Sequence, residues 1–327
     1  MAGGIRHTAL FEEHINIGAK MTPVANWSLP LNYVDGAAAE HLHTRKAASI
    51  FDRCADGELR LAGAGINDHL LKLFAALPET GFCSRVVLRN ESGAILGDGT
   101  LCRMAEEDYF LVIHGGDPGR IQKFLAGKLP DTIQCDDLSE FLAGILLAGP
   151  EAETVFNEHL EDETISLPAP NQCAAVPVED LRCVVCCTAF TGEREFLILF
   201  NQDFAPDFWE LLMETDPVRP AGLAAFHSLR LEAGVAAFGA EIAGDPQGVL
   251  TGIVLETRRA AAAGSDVLAA DGTLLGKVTT GAFASTLGKA AALAYLPQME
   301  TGTPVTLHTI KGDLAGVTAE LPLIPLQ

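Results

Sequence analysis

The sequence predicts an α+β fold made of two ferredoxin-like α+β domains followed by a small C-terminal β-barrel. Three observations carry that prediction. Short strand and helix patterns alternate twice along the first two thirds of the chain, and each pass has the order of a split βαβ unit. From Gly248 onward the helix patterns thin out into short strands, with Asp271-Gly272 as a hairpin signal and prolines at Pro297, Pro304, Pro322 and Pro325. At 327 residues and 48% hydrophobic content the chain is long enough to build more than one core.

Taken in order, Thr8 to Gly18 predicts a short amphipathic helix, with Thr8 as its N-cap, Glu12 and Glu13 in the first turns and Gly18 as its stop. Met21 to Tyr33, with Pro23, Trp27 and Pro30, predicts an extended segment packed on something else. Ala37 to Ala48 returns to helical composition. His41 and His43 lie two apart, which does not make one helix face, so a solvated face is expected rather than a metal pair.

A strand ending near Gly63 and a helix over Ile66 to Leu77 then lead to the most informative stretch, Asn90 to Arg103. Arg85 to Arg89 and Thr100 to Cys102 read as strands around an Asn90-Ser92-Gly93 turn. Within the second arm Gly97-Asp98-Gly99 sets one carboxylate between two residues without side chains, where another backbone or a ligand can come close. Asp98 is the first catalytic candidate. The competing reading of the same residues is an ordinary Gly-Asp-Gly turn. The strand Tyr109 to His114 ends beside Gly115-Gly116, so His114 is a second candidate, against a hydrogen-bonded core histidine.

After a helix from Pro118 to about Lys128, the second pass predicts a strand over Phe141 to Gly149, a helix to about Leu160, strands Leu181 to Thr188 and Glu195 to Phe200, and a helix Phe204 to Glu214. Phe190, in the turn between those strands, is either a stacking platform or a plug. In the helix from Arg219 to Gly234, Arg230 is expected to form a structural ion pair. Beyond Gly248 one helical stretch is expected, Leu287 to Ala294.

The formal charge of -21, from 43 acidic against 22 basic residues, repels phosphate backbones and anionic lipid, which argues against nucleic acid and membrane as partners. Met1 to Arg6 lacks a signal pattern and no run of about 18 apolar residues occurs, so a soluble cytoplasmic protein is expected. The eight cysteines are scattered through a long chain and read mostly as buried thiols. Cys183-Val-Val-Cys186 lies in a strand-like run, and neither a second C-x-x-C nor a nearby histidine completes a ligand set, so no metal is expected.

With these pieces placed, the chain resembles the T-protein of the glycine cleavage system, the tetrahydrofolate-dependent aminomethyltransferase family. The resemblance is carried by Thr8 to Met21, Trp27-Ser-Leu-Pro30, Ile50-Phe51-Asp52, Asn90 to Asp98, Phe190-Thr191-Gly192-Glu193, Arg219 to Leu223, Leu229 to Gly234 and Thr279 to Gly288. It implies a cloverleaf around a central channel, with domains at 1–50 plus 138–245, 51–137, and 248–327. It also implies one-carbon transfer to tetrahydrofolate, with Asp98 at the transfer centre and an H-protein presenting a lipoyl-bound aminomethyl group.

The match departs from the family pattern at specific positions. The first of two adjacent family aspartates is Gly97 here, and the catalytic second is Asp98. A folate-pocket tyrosine falls at Arg85, an asparagine at His114, a glycine-tyrosine at Ala189-Phe190, and an arginine-aspartate at Phe226-His227. The pterin-reading glutamate falls at Leu197, and a family segment is absent between Glu241 and Gly252. Asp98, Phe190, His114 and Arg85 are the folate contacts this alignment leaves. Two other readings are a non-catalytic folate-binding protein of the iron-sulfur assembly type, whose cysteine motif is missing from Phe238 to Asp245, and a pseudoenzyme with an altered ligand.

Overall fold

The structure, a computed structural model, describes residues 4–162 and 164–325. The reading of Met1 to Arg6 therefore lies partly outside the described residues. The chain divides into two compact units, one formed by the residues up to Ala189 with Glu193–Leu223, the other by Phe190–Gly192 with the residues from Ala224 on.

The first unit opens with β1 (Arg6–His7), α1 (Phe11–Asn16), β2 (Lys20–Val24), β3 (Trp27–Asn32), α2 (Ala37–Thr44), β4 (Ala48–Asp52), β5 (Gly57–Ala62) and α3 (Ile66–Leu70). It continues through β6 (Cys83–Arg89), β7 (Ile95–Ala105), β8 (Asp108–Gly116), α4 (Pro118–Ala126), β9 (Gln134–Asp137), β10 (Leu142–Ala148) and α5 (Ala152–Asn157). Last come β11 (Cys173–Val178), β12 (Leu181–Thr188), β13 (Glu195–Asn201), α6 (Ala205–Glu214) and β14 (Val218–Pro220).

Besides a three-stranded sheet of order β1-β3-β2, two larger sheets organise this unit. A six-stranded sheet has the order β11-β12-β13-β10-β4-β14, and a five-stranded sheet the order β6-β7-β8-β5-β9. Alternation assigns the faces. In the six-stranded sheet Phe196, Ile198 and Phe200 join Ile145, Leu147, Ile50 and the α6 residues Phe208, Trp209 and Leu212 in one core. In the five-stranded sheet Leu59, Leu61, Val86, Leu88, Leu101, Leu111 and Ile113 pack with Ile66, Leu70, Ile121 and Leu125 of α3 and α4 in another. The opposite face of that second sheet carries Arg85, Asp98, Thr100 and Glu58, an arrangement set by the period-two alternation of the strands.

Three expectations in this unit are corrected. Thr8 does not cap α1: the N-cap position is Leu10, without a side-chain bond, and the Thr8 hydroxyl instead donates to Asp52 at 2.8 Å. Gly18 does end the helix, at φ 77. His41 and His43 do not sit on a solvated face. His41 is fully buried, and His43 Nε2 contacts the carbonyls of Ala48 and Pro217 at 3.1 and 2.8 Å. Polar composition mimicked a surface helix because α2 is short and tucked against β4 and β14. Gly97-Asp98-Gly99 is not a turn, for it lies inside β7, paired with β6 on one side and β8 on the other.

The second unit holds most of α7 (Leu223–Ala233) and a closed barrel of β15 (Val249–Leu255), β16 (Asp266–Leu268), β17 (Leu274–Ala284), β18 (Lys289–Leu296), β19 (Pro304–His308) and β20 (Leu314–Ala319), in the order β15-β18-β17-β16-β19-β20. The Asp271-Gly272 hairpin joins β16 to β17, with Gly272 at φ 86. The expected helix over Leu287 to Ala294 is instead largely strand β18. Its alanines read as helical, yet Ala290, Ala292 and Ala294 point into the barrel core, where a small barrel has room for little more. Arg230 forms the expected buried ion pair, with Glu241 at 2.9 Å, and Thr279 and Thr280 also donate to that carboxylate. Among the described residues no helix is long and apolar enough to cross a membrane.

Candidate functional site

The site is built on the polar face of the five-stranded sheet. Asp98 is held there by what its neighbours lack. A Cβ on Gly97 would lie 2.3 Å from the Gly115 carbonyl oxygen, and one on Gly99 would lie 2.3 Å from that of Val112. Both glycines are needed for β8 to approach, and Asp98 between them is 1% exposed. The approach anticipated from the sequence is thus made by a neighbouring strand.

The buried carboxylate is met by Arg85, whose Nη2 and Nε donate to Asp98 Oδ2 at 2.5 and 3.1 Å. Arg85 pairs with Thr100 across the β6–β7 ladder, which sets its side chain on the same face as Asp98. The next strand supplies His114. The β7–β8 register runs from Asp98 opposite Gly115 to Gly99 opposite Ile113, so His114 is the extra residue of a β-bulge that turns its ring toward Thr100. Nε2 contacts Thr100 Oγ1 at 2.8 Å, and Nδ1 contacts Asp56 Oδ2 at 2.8 Å and Arg53 Nη2 at 3.2 Å. Burial pushes the Asp56 carboxyl up, but Arg53 and His114 outweigh it and hold the group below its usual range. The polar array on this face thus holds the Arg85–Asp98 pair and, next along it, Thr100 with His114, Asp56 and Arg53.

Sequence reasoning missed three of these residues. Arg53 and Asp56 lie in the short link between β4 and β5, where nothing in the local pattern marks them. Glu58, on β5, is also unanticipated: it is 1% exposed, and neither carboxylate oxygen has a hydrogen-bond partner. Burial, then Asp56 and Asp137, push its carboxyl well above the usual range. Its signal was an acidic residue out of phase with the apolar Leu59 and Leu61.

Arg85, Asp98 and His114 are therefore brought together on one sheet face. Phe190 belongs to the other unit, where its ring lies 6.3 Å from that of Phe226 at an angle of 52°. Leu197, on β13, is 1% exposed and offers no hydrogen bond where the resemblance expects a carboxylate. Two residues earlier on the same face of β13, Glu195 is fully buried and accepts from Thr188 Oγ1 at 2.6 Å.

Comparison with known proteins places the chain in a family. The model of the GCVT N-terminal domain matches residues 10–254, and that of the glycine cleavage T-protein C-terminal barrel domain matches residues 249–323. The chain belongs to the glycine cleavage T-protein family. It is 30% identical over 333 residues to an aminomethyltransferase of Corynebacterium aurimucosum, covering 89% of each chain. It is 29% identical to that of Saccharopolyspora erythraea, covering 98% of this chain and 97% of the relative. Its fold is similar to the glycine cleavage system aminomethyltransferase T from Bartonella henselae, with TM-score 0.86, 25% identity and 99% of both chains covered.

Proposed function

We propose that this chain is a tetrahydrofolate-dependent one-carbon transferase, moving an aminomethyl or methyl group, with Asp98 at the transfer centre. The observation that carries the reading is the placement of Asp98: a carboxylate withdrawn from water, fixed mid-strand by two obligatory glycines, on a polar face shared with Arg85 and His114. The donor set fits the reacting end of a reduced folate, whose amine nitrogens match a buried carboxylate. At Leu197 the set offers nothing polar, and Glu195 on the same strand face is the carboxylate we assign to the pterin edge in its place.

Tetrahydrofolate supplies the nitrogen that takes up the one-carbon unit. Asp98 orients that amine, offsets positive charge developing on it and takes or returns its proton. Arg85 shares Asp98 Oδ2, so an incoming amine must compete with the guanidinium or displace it; at 30% side-chain exposure Arg85 has room to swing outward. Thr100 and the Asp56 contact hold His114 at the edge of this centre as a fixed polar wall. Phe190 contributes a flat face to the pterin. The domain division at 1–50 with 138–245, 51–137 and 248–327 belongs to the same reading, as does a lipoyl carrier of the H-protein kind as donor.

Anaerobic calorimetric titration with tetrahydrofolate tests the reading. Micromolar binding, together with transfer lost in Asp98→Asn, is the expected result. A folded protein that binds no folate would overturn it and leave a family member with a different ligand.

A further inference from the structure

Four of the eight cysteines converge where the five- and six-stranded sheets of the first unit meet. Cys83 and Cys102 are direct cross-strand partners on β6 and β7, and Cys173 and Cys186 are direct cross-strand partners on β11 and β12. The two pairs are stitched together by main chain. Phe82 bridges Gln172, Cys83 N donates to the Asn171 carbonyl at 2.8 Å, and Cys173 N donates to the Gly81 carbonyl at 2.9 Å.

The arrangement is reciprocal about this junction. Cys83 Sγ donates to the carbonyls of Gln172 and Cys187 at 3.7 and 3.9 Å, while Cys173 Sγ donates to those of Phe82 and Arg103 at 3.3 and 3.9 Å. At its centre Cys102 Sγ and Cys186 Sγ are 3.1 Å apart, both fully buried.

Two chemistries suit four converging thiols, a metal or a disulfide, and the geometry separates them. In a tetrahedral zinc tetrathiolate, with Zn–S of about 2.3 Å, neighbouring sulfurs stand about 3.8 Å apart, well beyond the central contact here. Cys83 and Cys173 are each engaged as donors to backbone carbonyl oxygens, so these two thiols are hydrogen-bonded without any metal. Among the described residues no group of three or more histidine, cysteine or acidic side chains is arranged to hold a metal ion.

We propose that this cluster is an oxidative modification site, at which a peroxide converts Cys102 and Cys186 into a disulfide joining β7 to β12, with Cys173 the sulfur first attacked. Cys173 lies at the rim of the cluster, 4% exposed, and the hydrogen bond from Cys102 holds its thiol below the ordinary range. Its thiolate attacks one peroxide oxygen: an S–O bond forms, the O–O bond breaks and hydroxide leaves. Cys102 sulfur then displaces that oxygen, whose departure as water takes up the thiol proton. Cys186 attacks Cys102, its proton passing to the released Cys173. In sum, two thiols and one peroxide give one disulfide and two waters.

The test is mass spectrometry on the full-length protein, reduced and then treated with hydrogen peroxide, with remaining thiols alkylated after denaturation. Two fewer alkylated thiols than the eight of the reduced chain, and a linked peptide pair containing Cys102 and Cys186, are expected. In the variants, Cys135→Ser, outside the cluster, is expected to form the same bond, Cys102→Ser to lose it, and Cys186→Ser to stop at a disulfide between Cys102 and Cys173. The oxidised protein is expected to melt several degrees higher than the reduced one, reversibly with dithiothreitol. Eight alkylated thiols after peroxide, a different pairing, or equimolar zinc or iron in the purified protein would each overturn the proposal. The wild-type measurement decides the matter even where a serine variant fails to fold.

Discussion

At the scale of single residues, Asp98 and Glu58 are two buried carboxylates with opposite situations. Asp98 is met by Arg85, whereas the Glu58 carboxylate oxygens have no hydrogen-bond partner. Replacing Asp98 by Asn keeps the shape and removes charge and basicity. The proposed transfer is therefore expected to fall by about 10²- to 10⁴-fold in kcat while folate affinity shifts only a few-fold, read by steady-state kinetics and calorimetry. Arg85→Ala leaves the Asp98 carboxylate buried without its cation. With Arg85 itself partly exposed, a loss of about 1–3 kcal/mol in denaturant unfolding is expected. For Glu58 the sign is reversed. Its folded-state pKa is raised, so its contribution to stability is fully present below the ordinary carboxylate value and is lost as pH rises through the folded value. Glu58→Gln removes that loss, and the melting temperature of the variant relative to wild type is expected to rise from pH 4 to pH 8; a flat difference would show that Glu58 ionises freely. Asp98 was legible in the sequence because its two glycines advertise close approach. Arg53, Asp56 and Glu58 were not, because they reach the array through folding of a link and a strand whose partners are about 50 residues away in the chain.

At the scale of elements, β7 shows how a strand can look like a turn. Gly-Asp-Gly carries turn composition, but its glycines answer to a crossing strand, since each Cβ would meet a β8 carbonyl. Gly99→Ala is therefore expected to cost about 1–3 kcal/mol by urea unfolding. Full stability in that variant would show that β8 can recede. The barrel strand β18 makes the converse case, with helix-forming alanines in an extended element because the narrow interior selects size over propensity. The strands around Asn90-Ser92-Gly93 were legible because turn chemistry and alternation agreed there, and Asn90 Oδ1 indeed accepts from the Ser92 and Ala94 amides at 3.1 and 2.9 Å. The Thr8 cap failed for a long-range reason. The hydroxyl that local pattern assigned to a helix end serves Asp52, together with His14 Nε2 at 2.9 Å, in a buried network.

At the scale of the whole molecule, the overall charge governs what the site can attract. The chain carries 43 acidic and 22 basic residues, and its formal charge of -21 opposes the approach of an anion such as the glutamate tail of a folate. Local cations do not cancel that background: Arg53 is paired with Asp56, and Arg85 with Asp98. Raising the ionic strength shortens the Debye length from about 30 Å at 0.01 M to about 8 Å at 0.15 M, which screens repulsion from distant charges far more than contacts within the site. If folate binds, its association rate is therefore expected to rise with sodium chloride across this range, and more steeply for a polyglutamylated folate than for a monoglutamate. Stopped-flow binding at several salt concentrations measures this directly. The opposite slope would mean that a local basic surface steers the ligand despite the net charge. The same screening relieves self-repulsion of the folded chain, so the melting temperature is expected to climb over the same interval. A melting temperature that rises while the association rate falls would separate the two effects, assigning the net charge to stability and local arginines to ligand capture.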